Sequence, residues 1–148
     1  MHTYTQIIYQ IVFSTYRRKK TLVQQDRQEL YRYIWGILQR KKCHLYRING
    51  VSDHIHIVTY LHPSISLSSL VRDIKLASSR HIKSKGLFPQ FKGWQEGYGG
   101  FTYSYKERDR LIEYVKNQES HHKEKDFRQE YIKLLREQGV KFDERYLL

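Results

Sequence analysis

The chain of 148 residues has a single cysteine, Cys43. An internal disulfide is thereby excluded, and a lone thiol fits a reducing cytoplasm. Prolines number two and glycines eight, and no Pro/Gly-rich linker divides the chain. No repeat and no low-complexity tract is present. Long apolar runs are also missing. None approaches the roughly 20 residues of a membrane span, and the first residues do not read as a signal peptide. Acidic residues are scarce, 15 against 27 Lys and Arg, for a net charge of +12. Such an excess points to a polyanionic partner, most often nucleic acid. Membrane binding by a basic amphipathic helix is the competing reading, but the positive charge is spread over several segments. Simple solubilising charge would give the same count.

What is present suffices for one domain. The apolar share is 39 % and the 13 tyrosines add to it, enough for a real core at this length. We read residues 1–148 as a single domain, with a core over about 4–105 and two further helices over about 105–138.

Residues 4–14 (Tyr-Thr-Gln-Ile-Ile-Tyr-Gln-Ile-Val-Phe-Ser) are dense in strand formers and read as a central strand. The run Arg17-Arg18-Lys19-Lys20 follows beside Tyr16. It can grip phosphate, or it can be a solvated loop. From Asp26 to about Lys41, Leu30, Tyr33, Ile34, Ile37 and Leu38 recur at helical spacing. Trp35 lies off that stripe. Residues 43–48 read as a strand, with Asn49-Gly50 as a hairpin turn into a further strand over 51–60.

Pro63 ends that strand. Residues 67–85 form an amphipathic helix, apolar through Leu67, Leu70, Val71, Ile74, Ala77 and Ile82. Its other stripe carries Arg72, Lys75 and Lys83, a solvated face or one that tracks phosphates. His81 sits with the apolar stripe, as a core or interface histidine. The aromatic and glycine-rich stretch 87–100 is either a base-stacking surface or a plug for the sheet edge. Residues 101–105 read as a strand. Ser104 and Glu107 match a capping box that opens a helix to about His121. A last helix runs from Asp126 to about Gln138, and Gly139 stops it. The order strand, helix, strand, strand, helix, strand predicts an α+β class. It is the ferredoxin-like split βαβ arrangement, an antiparallel sheet with helices on one face and the other face free for a ligand or another element.

His54-Ile55-His56 lies on the strand over 51–60. Alternate strand side chains share a face, so the two imidazoles project together and Ile55 and Ile57 project oppositely. Two such histidines make half a divalent-metal site, or they are two unrelated histidines on a solvated strand. Their spacing does not say which face of the sheet they take. Tyr114 and Gln118 lie four apart on one helical face. An amide carbonyl suits Mg²⁺ or Mn²⁺, and a phenol can attack a metal-polarised phosphodiester. Read alone, Tyr114 is as well a core or interface tyrosine. His121 and His122 are extra ligands, DNA contacts or charges at a helix C-terminus.

His54-Ile55-His56 resembles the His-hydrophobe-His (HUH) motif, and Tyr114-Val115-Lys116-Asn117-Gln118 resembles a tyrosine helix with glutamine one turn on. In this order around a ferredoxin-like core they resemble the HUH single-tyrosine transposases of the smallest bacterial insertion sequences (the IS-two-hundred-like group). The first strand with its basic run, Trp94-Gln95-Glu96-Gly97-Tyr98-Gly99 and residues 118–122 resemble that family too. The likeness runs from about Tyr4 to Gln138.

The resemblance implies that His54, His56 and Gln118 ligate Mg²⁺ or Mn²⁺. It implies that Tyr114 attacks a DNA phosphate, becomes joined to the 5′ end and frees a 3′-OH. It implies single-stranded DNA with hairpins as substrate, and a homodimer in which the tyrosine helix of one subunit can complete the site of the other. Arg17, Arg18, Lys19, Arg72, Lys75 and Lys83 are the candidate DNA-binding residues. A third histidine ligand, His122 in place of Gln118, would resemble replication initiators and relaxases instead. Two other functions fit parts of the sequence. One is a host-domesticated relative that nicks repetitive hairpins. The other is a non-catalytic RNA-binding module, loosely suggested by Gly97-Tyr98-Gly99-Gly100-Phe101-Thr102-Tyr103. A basic interaction protein with incidental histidines is the structural alternative.

Overall fold

The structure is a computed structural model that describes residues 2–121 and 125–147. Four strands form one sheet in the order β2-β3-β1-β4: β1 Ile8–Ser14, β2 Leu45–Gly50, β3 His54–Tyr60 and β4 Gly99–Tyr103. Every neighbouring pair is antiparallel. α1 (Gln24–Arg40) links β1 to β2, and α2 (Leu67–Lys85) links β3 to β4. β3 thus lies between β1 and β2, which splits the βαβ unit as the ferredoxin-like reading requires.

Strand alternation sorts the core into two layers. Ile11, Phe13, Ile55 and Ile57 face α1 and α2, packing with Leu30, Ile34, Leu38, Leu70 and Ile74. The opposite face carries Ile8, Gln10, Val12, His54, His56 and Val58. The sequence left this face open to a ligand or another element, and two helices take it. α3 (Arg108–Lys116) lays Leu111 and Val115 on Ile8 and Val58. α5 (Phe127–Glu137) lays Phe127, Tyr131, Leu134 and Leu135 on Val12 and Phe101. An apolar sheet face left in water would forgo about 1.5–3 kcal/mol for each large side chain it can bury, so the C-terminal helices fold back over it.

Several boundaries differ from the sequence reading, among them the last strand, Gly99–Tyr103 rather than 101–105. The first strand begins at Ile8 rather than Tyr4. Asn49 and Gly50 are not the hairpin turn; they pair with His56 and Ile55 inside the sheet. The turn is 51–53, closed by Val51 N donating to His54 O at 3.1 Å. Its backbone is drawn into tertiary bonds, with Leu22 N on Ser52 O and Thr15 N on Asp53 O. Gly50 instead serves a close approach: a Cβ there would lie 2.3 Å from His54 O. Finally, the tyrosine helix is broken at Asn117, and α4 (Gln118–His121) restarts beyond it. The glycine and aromatic stretch acts as a plug, since Trp94 meets Phe13 edge-on at 4.9 Å and donates from Nε1 to Ser78 Oγ at 3.0 Å. His81 packs between helices, stacked on Tyr33 at 3.9 Å and bonded to Glu29 at 3.1 Å.

Candidate active site

β3 is hydrogen-bonded on both sides, so its two histidines are held by the stiffest part of the fold. Both are fully buried. Their rings lie 5.1 Å apart. Each is fixed from behind through Nδ1: His54 by Asp53 Oδ1 and His56 by Gln10 Oε1, both at 2.7 Å. A carboxylate and an amide carbonyl are acceptors, so both Nδ1 atoms carry protons. Both Nε2 atoms then point inward, and each neutral ring offers a lone pair there.

They point at Glu130 of α5. Its Oε1 lies 3.0 Å from His56 Nε2 and 3.2 Å from His54 Nε2. Phe127, one turn earlier on α5, stacks on His54 at 4.1 Å. Glu130 Oε2 accepts from the Tyr114 hydroxyl and from Gln118 Nε2 at 3.2 Å. One buried carboxylate therefore ties together both histidines, the tyrosine and the glutamine. The four candidate residues for catalysis and metal come together in one place, and Tyr114 reaches its own chain's histidines, ring to ring with His56 at 6.1 Å.

The donor set is one that a cation fits. Nitrogen and oxygen ligand atoms of His54, His56 and Glu130 lie within 4.8 Å of one another. Two imidazole lone pairs and a carboxylate oxygen repel unless a proton or a cation lies among them. Without a cation, the surroundings of His54 favour a proton there. Burial opposes its charge, but the Asp53 and Glu130 hydrogen bonds outweigh burial and lift the ring above its ordinary value. Gln118 Oε1 is buried and has no hydrogen-bond partner among the described residues. A buried acceptor left so costs about 1–3 kcal/mol. A hard divalent ion takes all these atom types. Tyr114 titrates well above a normal phenol, through burial first and then the neighbouring Glu130 charge and hydrogen bond.

Glu130 was not foreseen. Its signal was a lone carboxylate among Phe127, Tyr131, Leu134 and Leu135 on the apolar stripe of its helix. Gln10 and Asp53 were missed as well, the former being the single amide in a run of apolar strand residues. His122, the alternative ligand, lies outside the described residues.

The candidate DNA-binding residues fall into separate places. Arg17 and Arg18 line a depression of about 350 Å³ with Asp53, Phe127 and Arg128, next to His54. Both have left-handed backbones, φ 56° and 54°, a conformation that costs a non-glycine residue roughly 1–2 kcal/mol. Arg17 N is held there by Gln95 Oε1 at 2.8 Å. Lys19 is exposed. Arg72 and Lys83 are exposed on α2, in the layer across the sheet from the histidines. Lys75 turns inward and donates to the carbonyls of Gln95 and Gly97 at 2.8 and 2.5 Å. Half-burial lowers its pKa.

Known proteins share this topology. The sequence model of the family described as transposase, IS200-like, matches residues 3–118. The chain belongs to the IS200-like transposase family. A candidate transposase from Deinococcus radiodurans R1 has a similar fold, with a TM-score of 0.63 and 22 % identity over 80 % of this chain and 95 % of that one. So has a REP-associated tyrosine transposase bound to a REP hairpin, with a TM-score of 0.60 and 17 % identity over 82 % of this chain and 72 % of that one. At these identities the likeness speaks for the fold. No curated protein is similar enough in sequence to match. The IS200-like stretch ends at Gln118, so α5 and Glu130 lie beyond it.

Proposed function

We propose that this IS200-like protein is a metal-assisted transposase that cleaves and rejoins single-stranded DNA beside hairpins, with Tyr114 as nucleophile. One observation carries the reading: the Tyr114 hydroxyl and both histidine Nε2 atoms meet on the same carboxylate, Glu130. Nucleophile and metal half-site are thus within reach of one phosphate.

His54, His56, Gln118 Oε1 and Glu130 are the groups that would hold Mg²⁺ or Mn²⁺; two imidazoles among oxygens suit Mn²⁺ better. When bound, the ion polarises the phosphate and favours attack on phosphorus. The rest belongs to the chain. Gln10 and Asp53 keep both Nε2 atoms turned to the site. Tyr114 places its oxygen for attack, and its proton already lies on a hydrogen bond to Glu130 Oε2. As the tyrosine oxygen bonds to phosphorus, its proton passes to Glu130 Oε2 and the bond from phosphorus to the 3′-oxygen breaks. That oxygen leaves and takes a proton from water as the free 3′-OH. The 5′-phosphotyrosine keeps a phosphodiester's bond energy, so a later 3′-OH can reverse the step without ATP. Arg17 and Arg18 would hold the strand at the His54 end.

A family member of this kind works on the chromosome in the bacterial cytoplasm, nucleoid-associated. The protein would act as a homodimer, with His54, His56, Tyr114, Gln118 and Glu130 brought together in the site. A second reading keeps this chemistry but makes the protein a domesticated nuclease of repetitive hairpins. The REP hairpin held by the second structural neighbour favours it.

The test is a denaturing gel with labelled single-stranded DNA from the protein's own genomic flanks, Mn²⁺ or chelator, and Tyr114→Phe. A covalent adduct requiring both metal and Tyr114 is expected. An adduct that persists in Tyr114→Phe removes the nucleophile assigned here. Binding with no adduct leaves a non-catalytic module.

A further inference from the structure

A cavity of about 480 Å³ opens between α3 and α5, and Tyr114, Glu130 and Gln10 form its inner end. Its size lies within the range of small-molecule sites. Leu111 and Leu134 supply apolar wall, and the Tyr103 ring stands with them. The Tyr103 hydroxyl is fixed, accepting from Gln10 Nε2 at 2.8 Å. Arg110, Lys133 and Gln138 add polar groups.

Glu107 is engaged in its helix cap, accepting from Ser104 N and Oγ at 3.0 and 3.1 Å. Glu137 sits 3.9 Å from Lys133. Arg110 makes no close ion pair among the described residues, although its charge helps to hold the Glu107 carboxyl below its usual value. Apolar wall, a polar edge and a cation suit a nucleotide: a base with two flat faces, a hydrogen-bonding rim and a neighbouring phosphate.

Phosphoryl transfer chemistry says which nucleotide. Attack is in line, so the leaving 3′-oxygen stands on the far side of phosphorus from the tyrosine oxygen. The leaving nucleotide therefore points away from Tyr114. The retained nucleotide joins phosphorus through its 5′-oxygen, at the equator, and can turn back alongside the tyrosine. The cavity is walled by Tyr114 itself. We propose that it receives the base of the first nucleotide 3′ of the cut, the one that becomes linked to the protein. This rests on Tyr114 being the nucleophile. Lys133, Leu134 and Gln138 lie beyond residues 3–118, the stretch that the family model matches.

The test uses the same flanking single strand with Mn²⁺. The adduct first maps the cut. Strands then carry an abasic site at the first retained nucleotide or at the last leaving one, and adduct formation is timed for wild type, Gln138→Trp and Arg110→Ala. For wild type, the retained-side abasic site is expected to slow adduct formation at least about tenfold, the scale of one base stacked on an aromatic ring. The leaving-side abasic site should act more weakly. Gln138→Trp, which fills the cavity, should slow the intact strand and respond little to the retained-side lesion. Arg110→Ala, the smaller change, should narrow the same difference if the tryptophan variant fails to fold. Adduct formed equally fast on intact and retained-abasic strands overturns the cavity assignment and leaves Tyr114 in place. A stronger effect on the leaving side overturns it too. No adduct with any strand overturns the proposed function, and the cavity assignment falls with it.

Discussion

Gln10 Oε1 accepts the Nδ1 proton of His56 at 2.7 Å, and this hydrogen bond decides which nitrogen His56 shows to the site. The same amide donates from Nε2 to Tyr103 at 2.8 Å, so it cannot turn over without breaking both bonds. Gln10 is fully buried and sits between β3 and β4 on the central strand.

Gln10→Leu removes the acceptor at nearly constant volume. Groups that orient a metal-binding histidine in this way are worth about 10–100-fold in metal affinity. We expect a loss of that size for Mn²⁺ by titration calorimetry, with an unchanged circular dichroism spectrum. Gln10→Glu retains an acceptor and should retain most of the affinity. Wild-type affinity in Gln10→Leu would show that the tautomer is set elsewhere.

Glu130 should couple metal to stability. Mn²⁺ at about 100 times its Kd is expected to add about 2.7 kcal/mol to the folded state, seen as a rise in Tm that chelator abolishes. Glu130→Gln keeps the shape but loses the anion. Its melting curve should need at least about tenfold more Mn²⁺ for the same rise, because affinity follows ligand charge. Equal metal response in both proteins would exclude Glu130 from the ligand set.

Arg17→Ala and Arg18→Ala should each weaken single-stranded DNA binding without altering Mn²⁺ affinity. Each phosphate of a single strand that is no longer neutralised lowers the slope of log affinity against log salt by about 0.7. Fluorescence anisotropy across a salt series gives that slope. An unchanged slope in the double variant would place the strand elsewhere on the surface.

The helix that carries Tyr114 starts from the Ser104–Glu107 cap. Hydrogen bonds from the Ser104 backbone and hydroxyl hold the Glu107 carboxyl below its usual pKa. A depressed folded pKa gives stability above the unfolded value of about 4.3, and that stability is lost as pH falls through the folded value. Urea midpoints measured downward from pH 6 should fall more steeply for wild type than for Glu107→Gln, which lacks the titrating group. Parallel curves would mean that the cap contributes nothing. Ser104→Ala should cost about 1 kcal/mol at neutral pH.

The fold was legible because its strands alternate and its helices show apolar stripes with caps. Asp126 caps α5 where the sequence placed it, bonded to Gln129 N at 2.9 Å. That His54 and His56 share a face was legible from strand alternation, whereas Tyr114 and Gln118 meet at Glu130 although the helix breaks at Asn117 between them. Glu130 was not legible, because it reaches the site through tertiary packing of a helix that the sequence pattern does not orient. The Asn49-Gly50 turn was misread for a related reason. Turn propensity is local, whereas Gly50 answers to the backbone of the neighbouring strand, at His54 and Ile55.

Asn49 pairs with His56 in the sheet and, through Nδ2, also donates to Lys116 O at 2.9 Å. Lys116 is the last residue of α3 before the break at Asn117. One side chain thus latches the end of the tyrosine-bearing helix to the strand beside His54 and His56. Amide exchange should therefore divide the site into a slow half, the paired strands around His56, and a fast half, the last turn of α3, where Asn49 supplies a hold from outside the helix.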